Sequence, residues 1–205
     1  MIKKGTNPNR PRKGSTIQVS PIIHKRIIKR IKYDLADKPR DLLLFVMGIN
    51  TALRASDLLN LKVLQVQHLS IGDSLMVHER KTKKNRRITI NQAVHKVLRT
   101  WLEQNNSEWL FPSQRKGKAL KVPSLNKMVK KWCEVAHIET GIKQNGTNYG
   151  SHTLRKTFGY WQRIDAGVPI HTLMKIYNHS SQAITLTYLG IQEQEIEDVY
   201  MGYEL

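Results

Sequence analysis

Two segments in the first half of the sequence carry residue types suited to holding a phosphate. Arg54 stands in Ala-Leu-Arg-Ala-Ser-Asp after an apolar run, and its forked, permanently charged guanidinium can donate to two oxygens of one phosphate. A structural ion pair with Asp57 is the alternative for this arginine. Residues 80–87 carry six basic side chains in eight positions. Such a run is usually a solvated turn, but at a hairpin tip on a basic protein it also suits a DNA groove.

Two histidine-bearing segments follow in the second half. His152 and Arg155 are three apart in His-Thr-Leu-Arg, so on a helix they share one face and can contact one ligand. The alternative is a helix-capping histidine beside an exposed arginine. His179 precedes Tyr188 by nine residues, and a single tyrosine in an apolar helix is usually a core residue. Taken one at a time, these segments do not identify a reaction.

Charge and composition narrow the function classes. The 205 residues have a formal net charge of +18, and 40% are hydrophobic, so the chain can fold around a core and is expected to bind a polyanion, most simply nucleic acid. No apolar run is long enough to cross a bilayer, and no apolar segment follows Lys3 and Lys4 as in a signal peptide. A single cysteine, Cys133, excludes an internal disulfide and fits a reducing, cytoplasmic compartment.

The charge is also distributed unevenly. Residues 1–33 contain ten Lys or Arg and no acid, and residues 1–19 predict a basic, flexible N-terminal arm. After Lys175 there is no basic residue, and residues 191–205 form an acidic tail with an apolar stripe. The eight histidines show no metal-ligand spacing, so neither a metal nor another cofactor is expected.

The elements that must position these residues are mainly helices. Ser20-Pro21 predicts the start of a helix that runs to about residue 37, and a buried helix follows from Pro39. A short helix capped by Ser56 comes next. Three β-rich segments then predict a small three-stranded antiparallel sheet, and helices return for the rest of the chain. The strands are expected at 63–69, 75–78 and 87–90, and the later helices at about 91–104, 124–137, 152–166, 169–177, 181–189 and 192–200. The fold class is α+β, mainly helical, in one domain over residues 20–190.

Read together, the four segments resemble the tyrosine recombinases, the phage-integrase family. Ala-Leu-Arg54-Ala-Ser-Asp-Leu matches the first arginine motif, and Lys81 falls on the hairpin lysine. His152-Thr-Leu-Arg155 matches H-x-L-R without change, and the later segments, Tyr-Asn-His179-Ser-Ser and Thr-Leu-Thr-Tyr188-Leu, match the last two motifs. Ala52 replaces the usual Gly, Asp57 the commoner Glu, and Asn178 the usual Gly before the histidine. Asn tolerates a left-handed conformation better than most residues. The resemblance covers the chain from about residue 20 to residue 190.

The resemblance implies the catalytic-domain fold of this family and a site-specific recombinase that breaks and rejoins DNA. Tyr188 is then the nucleophile that forms a 3′-phosphotyrosyl bond, and Asp57 orients its neighbours. The implied catalytic residues are Arg54, Lys81, His152, Arg155, His179 and Tyr188, and the implied DNA-binding residues are Lys83, Lys84, Arg86 and Arg87. The implied partners are double-stranded DNA, further copies of the chain in a dimer or tetramer on DNA, and accessory DNA-bending proteins. The acidic tail is expected to dock on a neighbouring protomer, or else to pack on its own domain.

Two rival functions use some of the same features. A type IB topoisomerase performs the same chemistry to relax supercoils, and a non-enzymatic basic DNA-binding protein would account for the charge but not for the ordered set of six residues. Members of the family that clamp DNA from both sides have an N-terminal core-binding domain, which the short arm cannot supply. The sequence is therefore expected to be either a compact single-domain member or a catalytic fragment.

Overall fold

The computed structural model of the chain describes residues 19–115, 117–190 and 201–202. Within these residues, the chain forms nine helices and one short hairpin. The order is α1 (Lys25–Asp34), α2 (Pro39–Asn50), α3 (Ala55–Leu59), α4 (Val63–Val66), β1 (Ser74–His78), β2 (Asn85–Thr89), α5 (Gln92–Leu102), α6 (Val122–Thr140), α7 (Thr153–Ile164), α8 (Ile170–Tyr177) and α9 (Gln182–Leu189). The mainly helical α+β class is confirmed.

Helix α2 is the centre of the main core. Its residues 43–47 are all buried, because α5 and α7 pack against it from different sides. Gly48 permits the closest of these approaches, since a Cβ atom there would lie 2.5 Å from a side-chain carbon of Leu154 on α7. The helix that carries Arg155 is therefore fixed directly against the core.

A second, smaller apolar cluster packs against the segment that carries His179 and Tyr188. Its buried members are Ala52, Leu173, Tyr177 and Leu189, so α8, α9 and the loop before α3 meet there. Gly159 on α7 faces this cluster, and a Cβ atom there would meet the Tyr177 hydroxyl oxygen. A glycine at this position lets α7 and α8 approach each other.

The hairpin differs from the predicted sheet. β1 and β2 pair antiparallel with Met76 opposite Arg87, and the described residues contain this two-stranded sheet only. The strand predicted at 63–69 is wrong, because α4 occupies the start of that segment. The backbone N–H of Lys62 donates to the side chain of Gln65, which closes a helical turn where the β-branched residues had indicated a strand.

Two helix starts also differ from the prediction. α1 begins at Lys25, because the preceding segment is tied to α7 instead: Ile22 donates its N–H to Thr157 and accepts from the Trp161 indole. α3 has Arg54 at its N-cap, whereas the Ser56 hydroxyl lies beside Asp57. The arm (residues 1–18) and tail residues 191–200 and 203–205, including the helix predicted at 192–200, lie outside the described residues.

No helix in the described ranges combines the length and the apolar character that a bilayer crossing would require.

Candidate active site

The loop before α3 fixes the first arginine. Ala52 has a φ of +52°, which an L-residue adopts with strain and which glycine adopts freely. The strained turn aims the Ala52 carbonyl into the site, where it accepts hydrogen bonds from both Arg86 (2.8 Å) and Arg155. Arg54 follows at the N-cap of α3 with its side chain 15% exposed. The Ala52 carbonyl thus links the guanidinium groups of Arg86 and Arg155, and the guanidinium group of Arg54 lies beside them.

Glu79, at the end of β1, is the carboxylate that holds these charges together. Its side chain is 2% exposed, and Oε2 lies 2.6 Å from Nη1 of Arg54, with Oε1 3.6 Å from Nη1 of Arg86. Burial alone raises the pKa of Glu79, but hydrogen bonds from Thr82 and Arg54 and the two arginine charges outweigh it, so this pKa is lowered. Glu79 is therefore held as a carboxylate.

Asp57 forms a hydrogen bond with the backbone of the hairpin and does not pair with Arg54. It is buried, and its Oδ1 accepts a hydrogen bond from the backbone N–H of Arg80 at 3.1 Å. This bond fixes the residue next to Lys81 against α3. The alternative of an Arg54–Asp57 ion pair is wrong, since the carboxylate paired with Arg54 is that of Glu79.

Helix α7 presents His152 and Arg155. His152 stands at the N-cap with an exposed ring, and its side chain makes no capping hydrogen bond. Burial of part of the ring lowers the pKa of His152, and the charges of Arg155, Lys156, Arg54 and Lys81 lower it further. The neutral imidazole, which can accept a proton, is therefore favoured near pH 7.

Arg155 is almost completely buried. Its two terminal nitrogens donate to the carbonyls of Ala52 and Tyr177, the latter at 3.1 Å, and the guanidinium lies 4.7 Å from the centroid of the Tyr177 ring. The Tyr177 hydroxyl in turn donates to the Arg155 carbonyl at 2.8 Å. This reciprocal pair locks the orientation of the arginine between α7 and α8.

His179 is positioned by the turn that ends α8. Asn178 has φ 56° and ψ 46°, which confirms the left-handed conformation predicted for it. His179 then stacks on the Tyr177 ring with centroids 5.2 Å apart, and its Nδ1 lies 3.1 Å from the Thr185 hydroxyl. Burial and the charges of Arg155 and Arg54 lower its pKa. The second ring nitrogen, Nε2, is left to contact a ligand.

Tyr188 lies on α9 between these groups. Its ring meets the edge of His179 and is tilted against Tyr177, at 5.2 Å in both cases. Its hydroxyl is buried and has no hydrogen-bond partner among the described residues. Burial raises the pKa of Tyr188, whereas the positive charges of Arg155 and Arg54 act in the opposite direction. The tyrosine oxygen therefore faces the arginines, with the Arg155 guanidinium as its nearby donor.

The basic hairpin residues divide into two groups. Lys81, Lys83 and Lys84 are exposed, and Lys84 lies 3.4 Å from the Asn178 side chain. Arg86 instead points inward, donating to the carbonyls of Thr51 and Ala52. Burial lowers its pKa to about 10, with Arg155 adding to the effect. This position favours a structural role for Arg86 and not the predicted DNA contact. Arg87 is exposed and bonds the Ser74 hydroxyl.

Five of the six predicted catalytic residues therefore meet in one place, and Lys81 lies on the hairpin beside them. Sequence reasoning missed Glu79, although it is the one acid between Asp73 and Glu103. It also missed Lys156, buried beside the Tyr188 ring. The described part of the chain contains no cluster of three or more His, Cys, Asp or Glu side chains able to hold a metal ion.

Comparisons with known proteins identify the family of the chain. The sequence profile of the phage integrase family matches residues 23–195. The probable integrase/recombinase YoeC of Bacillus subtilis (strain 168) is 37% identical over 186 residues, which are 89% of this chain and 95% of YoeC. The tyrosine recombinase XerC of Caldanaerobacter subterraneus is 28% identical over 167 residues, and the match spans 78% of this chain but 44% of XerC.

Solved structures show the same fold. XerA recombinase superimposes with a TM-score of 0.70 at 19% identity, over 93% of this chain and 67% of XerA. XerH bound to its palindromic difH substrate, in a post-cleavage complex, gives 0.70 at 20% identity, over 91% and 53%. The chain therefore belongs to the phage integrase family, the tyrosine recombinases, and has the fold of their catalytic domain.

Proposed function

We propose that this chain is a site-specific recombinase that cleaves and rejoins double-stranded DNA through a 3′-phosphotyrosyl intermediate. The observation that carries the proposal is the environment of Tyr188, whose unpartnered hydroxyl faces two arginine charges and lies beside His179. A buried phenol aimed at guanidinium groups has the arrangement needed to attack an anionic phosphorus centre.

Each step of the transesterification has a group suited to it. The Tyr188 oxygen attacks phosphorus and its proton passes to His152, while the bond from phosphorus to the 5′ oxygen breaks and Lys81 protonates that oxygen. Arg54 and Arg155 stabilise the extra negative charge of the pentacoordinate phosphorus, and Nε2 of His179 contacts a third phosphoryl oxygen. Rejoining reverses these steps, so the energy of the broken phosphodiester is kept in the ester.

The partners follow from charge and from the relatives. A net charge of +18 and the exposed lysines of the hairpin favour duplex DNA as the ligand. XerH is described with its difH substrate, and lambda integrase as a dimer bound to a core site. We infer that this chain also assembles as a dimer or tetramer on DNA, with accessory DNA-bending proteins as further partners, in the cytoplasm.

A nicked suicide duplex tests this function. Duplexes taken from the DNA that flanks the coding sequence are nicked near candidate cleavage positions, so that the short fragment with the freed 5′-hydroxyl diffuses away after attack. We expect a covalent protein–DNA complex that resists denaturant, and its mapped position identifies the site. Binding without any covalent complex would indicate an architectural DNA-binding protein, whereas cleavage and relaxation without strand exchange between two duplexes would indicate a topoisomerase.

The acidic tail, most of which lies outside the described residues, completes the proposal. Residues 1–175 carry 34 basic and 11 acidic side chains, a formal charge of +23, whereas residues 176–205 carry five acids and no base. Because an acidic segment is repelled by DNA and attracted to a basic protein surface, we propose that the tail docks on a neighbouring protomer.

Deletion of residues 192–205 should leave binding to a one-site duplex largely intact and weaken cooperative filling of a two-site duplex. Gel-shift titration of both duplexes measures this. Equal cooperativity in the truncated and full-length proteins would assign the tail to its own domain.

A further inference from the structure

Lys156 follows Arg155 on α7 and is 7% exposed. Its Nζ lies 4.9 Å from the centroid of the Tyr188 ring. In the described parts of the chain, no carboxylate pairs with this ammonium and it makes no hydrogen bond, so the ring face is its one attractive contact there, whereas its charge acts against protonation of His152. A lysine rarely becomes this buried without a counter-charge. Its position is therefore unusual unless the ring it covers becomes negative.

The face of an aromatic ring attracts a cation through its quadrupole. When a phenol loses its proton, negative charge spreads from the oxygen into the ring, and a cation over the face is attracted more strongly. An ammonium in this position therefore favours the deprotonated ring over the neutral one. It also restrains the tilt of the ring and hence the direction of the hydroxyl.

We propose that Lys156 is a positioning residue for the nucleophile, whose ammonium holds the face of the Tyr188 ring and stabilises the charge that the ring acquires as the tyrosine oxygen attacks. The proposal rests on Tyr188 being the nucleophile of the proposed function. It assigns the two sides of the tyrosine to different cations, with Arg155 and Arg54 directed at the oxygen and Lys156 at the ring.

The groups around Tyr188 come from α7, from the residue before α3, from α8 and from the turn after α8. The charged or titratable groups that face it are Arg155 and Lys156 on α7, Arg54 before α3, Tyr177 on α8 and His179 in the turn after α8. None of them is acidic. Burial lowers the pKa of Lys156 itself, so its contribution should be lost as pH rises through that lowered value.

The test is single-turnover cleavage of the suicide duplex by Lys156→Met, which keeps the length of the side chain and removes its charge. We expect cleavage to slow about 10-fold near neutral pH while DNA affinity is unchanged, which is the size of a desolvated cation–π contact. The difference from the wild type should shrink at alkaline pH, where hydroxide removes the phenolic proton without help. Lys156→Arg should restore most of the rate. Lys96→Met, an exposed lysine on α5, is the matched control and should cleave normally.

A second measurement separates electrostatics from packing. Incorporation of 3-fluorotyrosine at position 188 gives a more acidic phenol, and it should recover the rate of the Lys156→Met protein more than it changes that of the wild type. Wild-type cleavage with an unchanged pH profile in Lys156→Met would overturn the proposal, as would a slow variant that fluorotyrosine does not rescue.

If Lys156→Met fails to bind DNA, Lys156→Gln takes its place. Loss of binding by both, with Lys156→Arg normal, would mean that the positive charge serves DNA contact or folding, and would also overturn the proposal. Failure of the proposed function is distinguishable, because it would appear as absence of the covalent complex in the wild-type protein.

Discussion

In the helical half of the site, Arg155, His179 and Tyr188 are held by packing and hydrogen bonds between α7, α8 and α9, whereas in the hairpin half Lys81 extends from an exposed turn. The helical half is preorganised, so its charges are already in place when a phosphate arrives. The hairpin turn is held by a few polar contacts: Asp57 accepts from the backbone N–H of residue 80, Glu79 accepts from the hydroxyl of residue 82, and Lys84 lies 3.4 Å from the Asn178 side chain. From this difference we predict that DNA orders Lys81, the proposed general acid, whereas the proposed nucleophile and the arginines are already in position.

Tyr188→Phe should have the largest effect on chemistry and almost none on the fold. Removing the hydroxyl abolishes the covalent complex, while DNA affinity is retained. Because the hydroxyl is buried without a partner in the described structure, its loss removes a desolvation cost of about 1–3 kcal/mol, and the melting temperature should stay level or rise. Suicide-duplex cleavage and thermal melting measure the two effects. A denaturant-resistant complex formed by the Phe variant would assign the nucleophile elsewhere.

Arg155→Lys should lose both cleavage and stability. An ammonium cannot bond the Ala52 and Tyr177 carbonyls together, nor span two phosphoryl oxygens, so we expect cleavage to fall by about 100-fold or more. Arg54→Lys should lose cleavage to a similar extent.

Arg99→Lys is the control for this change, because Arg99 also bonds two backbone carbonyls, those of Gln67 and Leu69, away from the site. It should lower the melting temperature and leave cleavage unchanged. Near-normal cleavage by Arg155→Lys at matched occupancy of DNA would show that preorganisation of the helical half is not required.

Lys81→Ala should slow cleavage through the leaving group alone. A duplex with a 5′-phosphorothiolate at the scissile position has a leaving sulfur that needs little protonation, so it should restore cleavage by this variant selectively. Lys83→Ala and Lys84→Ala, on the same exposed turn, provide the comparison. Selective rescue of either of these would move the general acid to that residue.

The smallest effect should be on the salt dependence of DNA affinity, which should distinguish exposed hairpin residues from those that point inward. Lys83→Gln or Lys84→Gln should each reduce the slope of log affinity against log salt by about 0.9 if the lysine contacts one phosphate. Arg86→Gln should leave the slope unchanged, because the Arg86 side chain bonds backbone carbonyls. Affinity measured from low to moderate salt tests this, and an equal loss of slope in Arg86→Gln would place that side chain on the DNA.

The sequence predicted the candidate reacting groups, which the structure brings together, but not the groups that hold them. The reacting residues stand in short motifs, and the left-handed turn at Asn178 follows from local stereochemistry. Glu79 is different, because its role depends on Arg54, 25 positions earlier, and on Arg86 across the hairpin. No local pattern encodes such a tertiary contact.

The same limit explains the errors in the fold. The Val63–Val66 segment is β-rich by residue type, but the bond from Lys62 to Gln65 and the pairing of Val63 with the Glu108 carbonyl favour a helical turn. The segment before α1 has a good capping signal, yet its backbone bonds to Thr157 and Trp161 on a helix about 135 residues away. In both cases distant partners outweighed local propensity.

Water competes with DNA for any phosphotyrosyl ester, and hydrolysis would leave a permanent break in the chromosome. The enclosure of the Tyr188 hydroxyl by the Tyr177 and His179 rings makes ionisation of the phenol harder, but it also keeps solvent from the oxygen that would carry the DNA end. The raised pKa of this tyrosine and the exclusion of water from the ester then have a common origin. A variant that opened this aromatic enclosure should rejoin fewer strands and leave more nicks, because water would reach the ester.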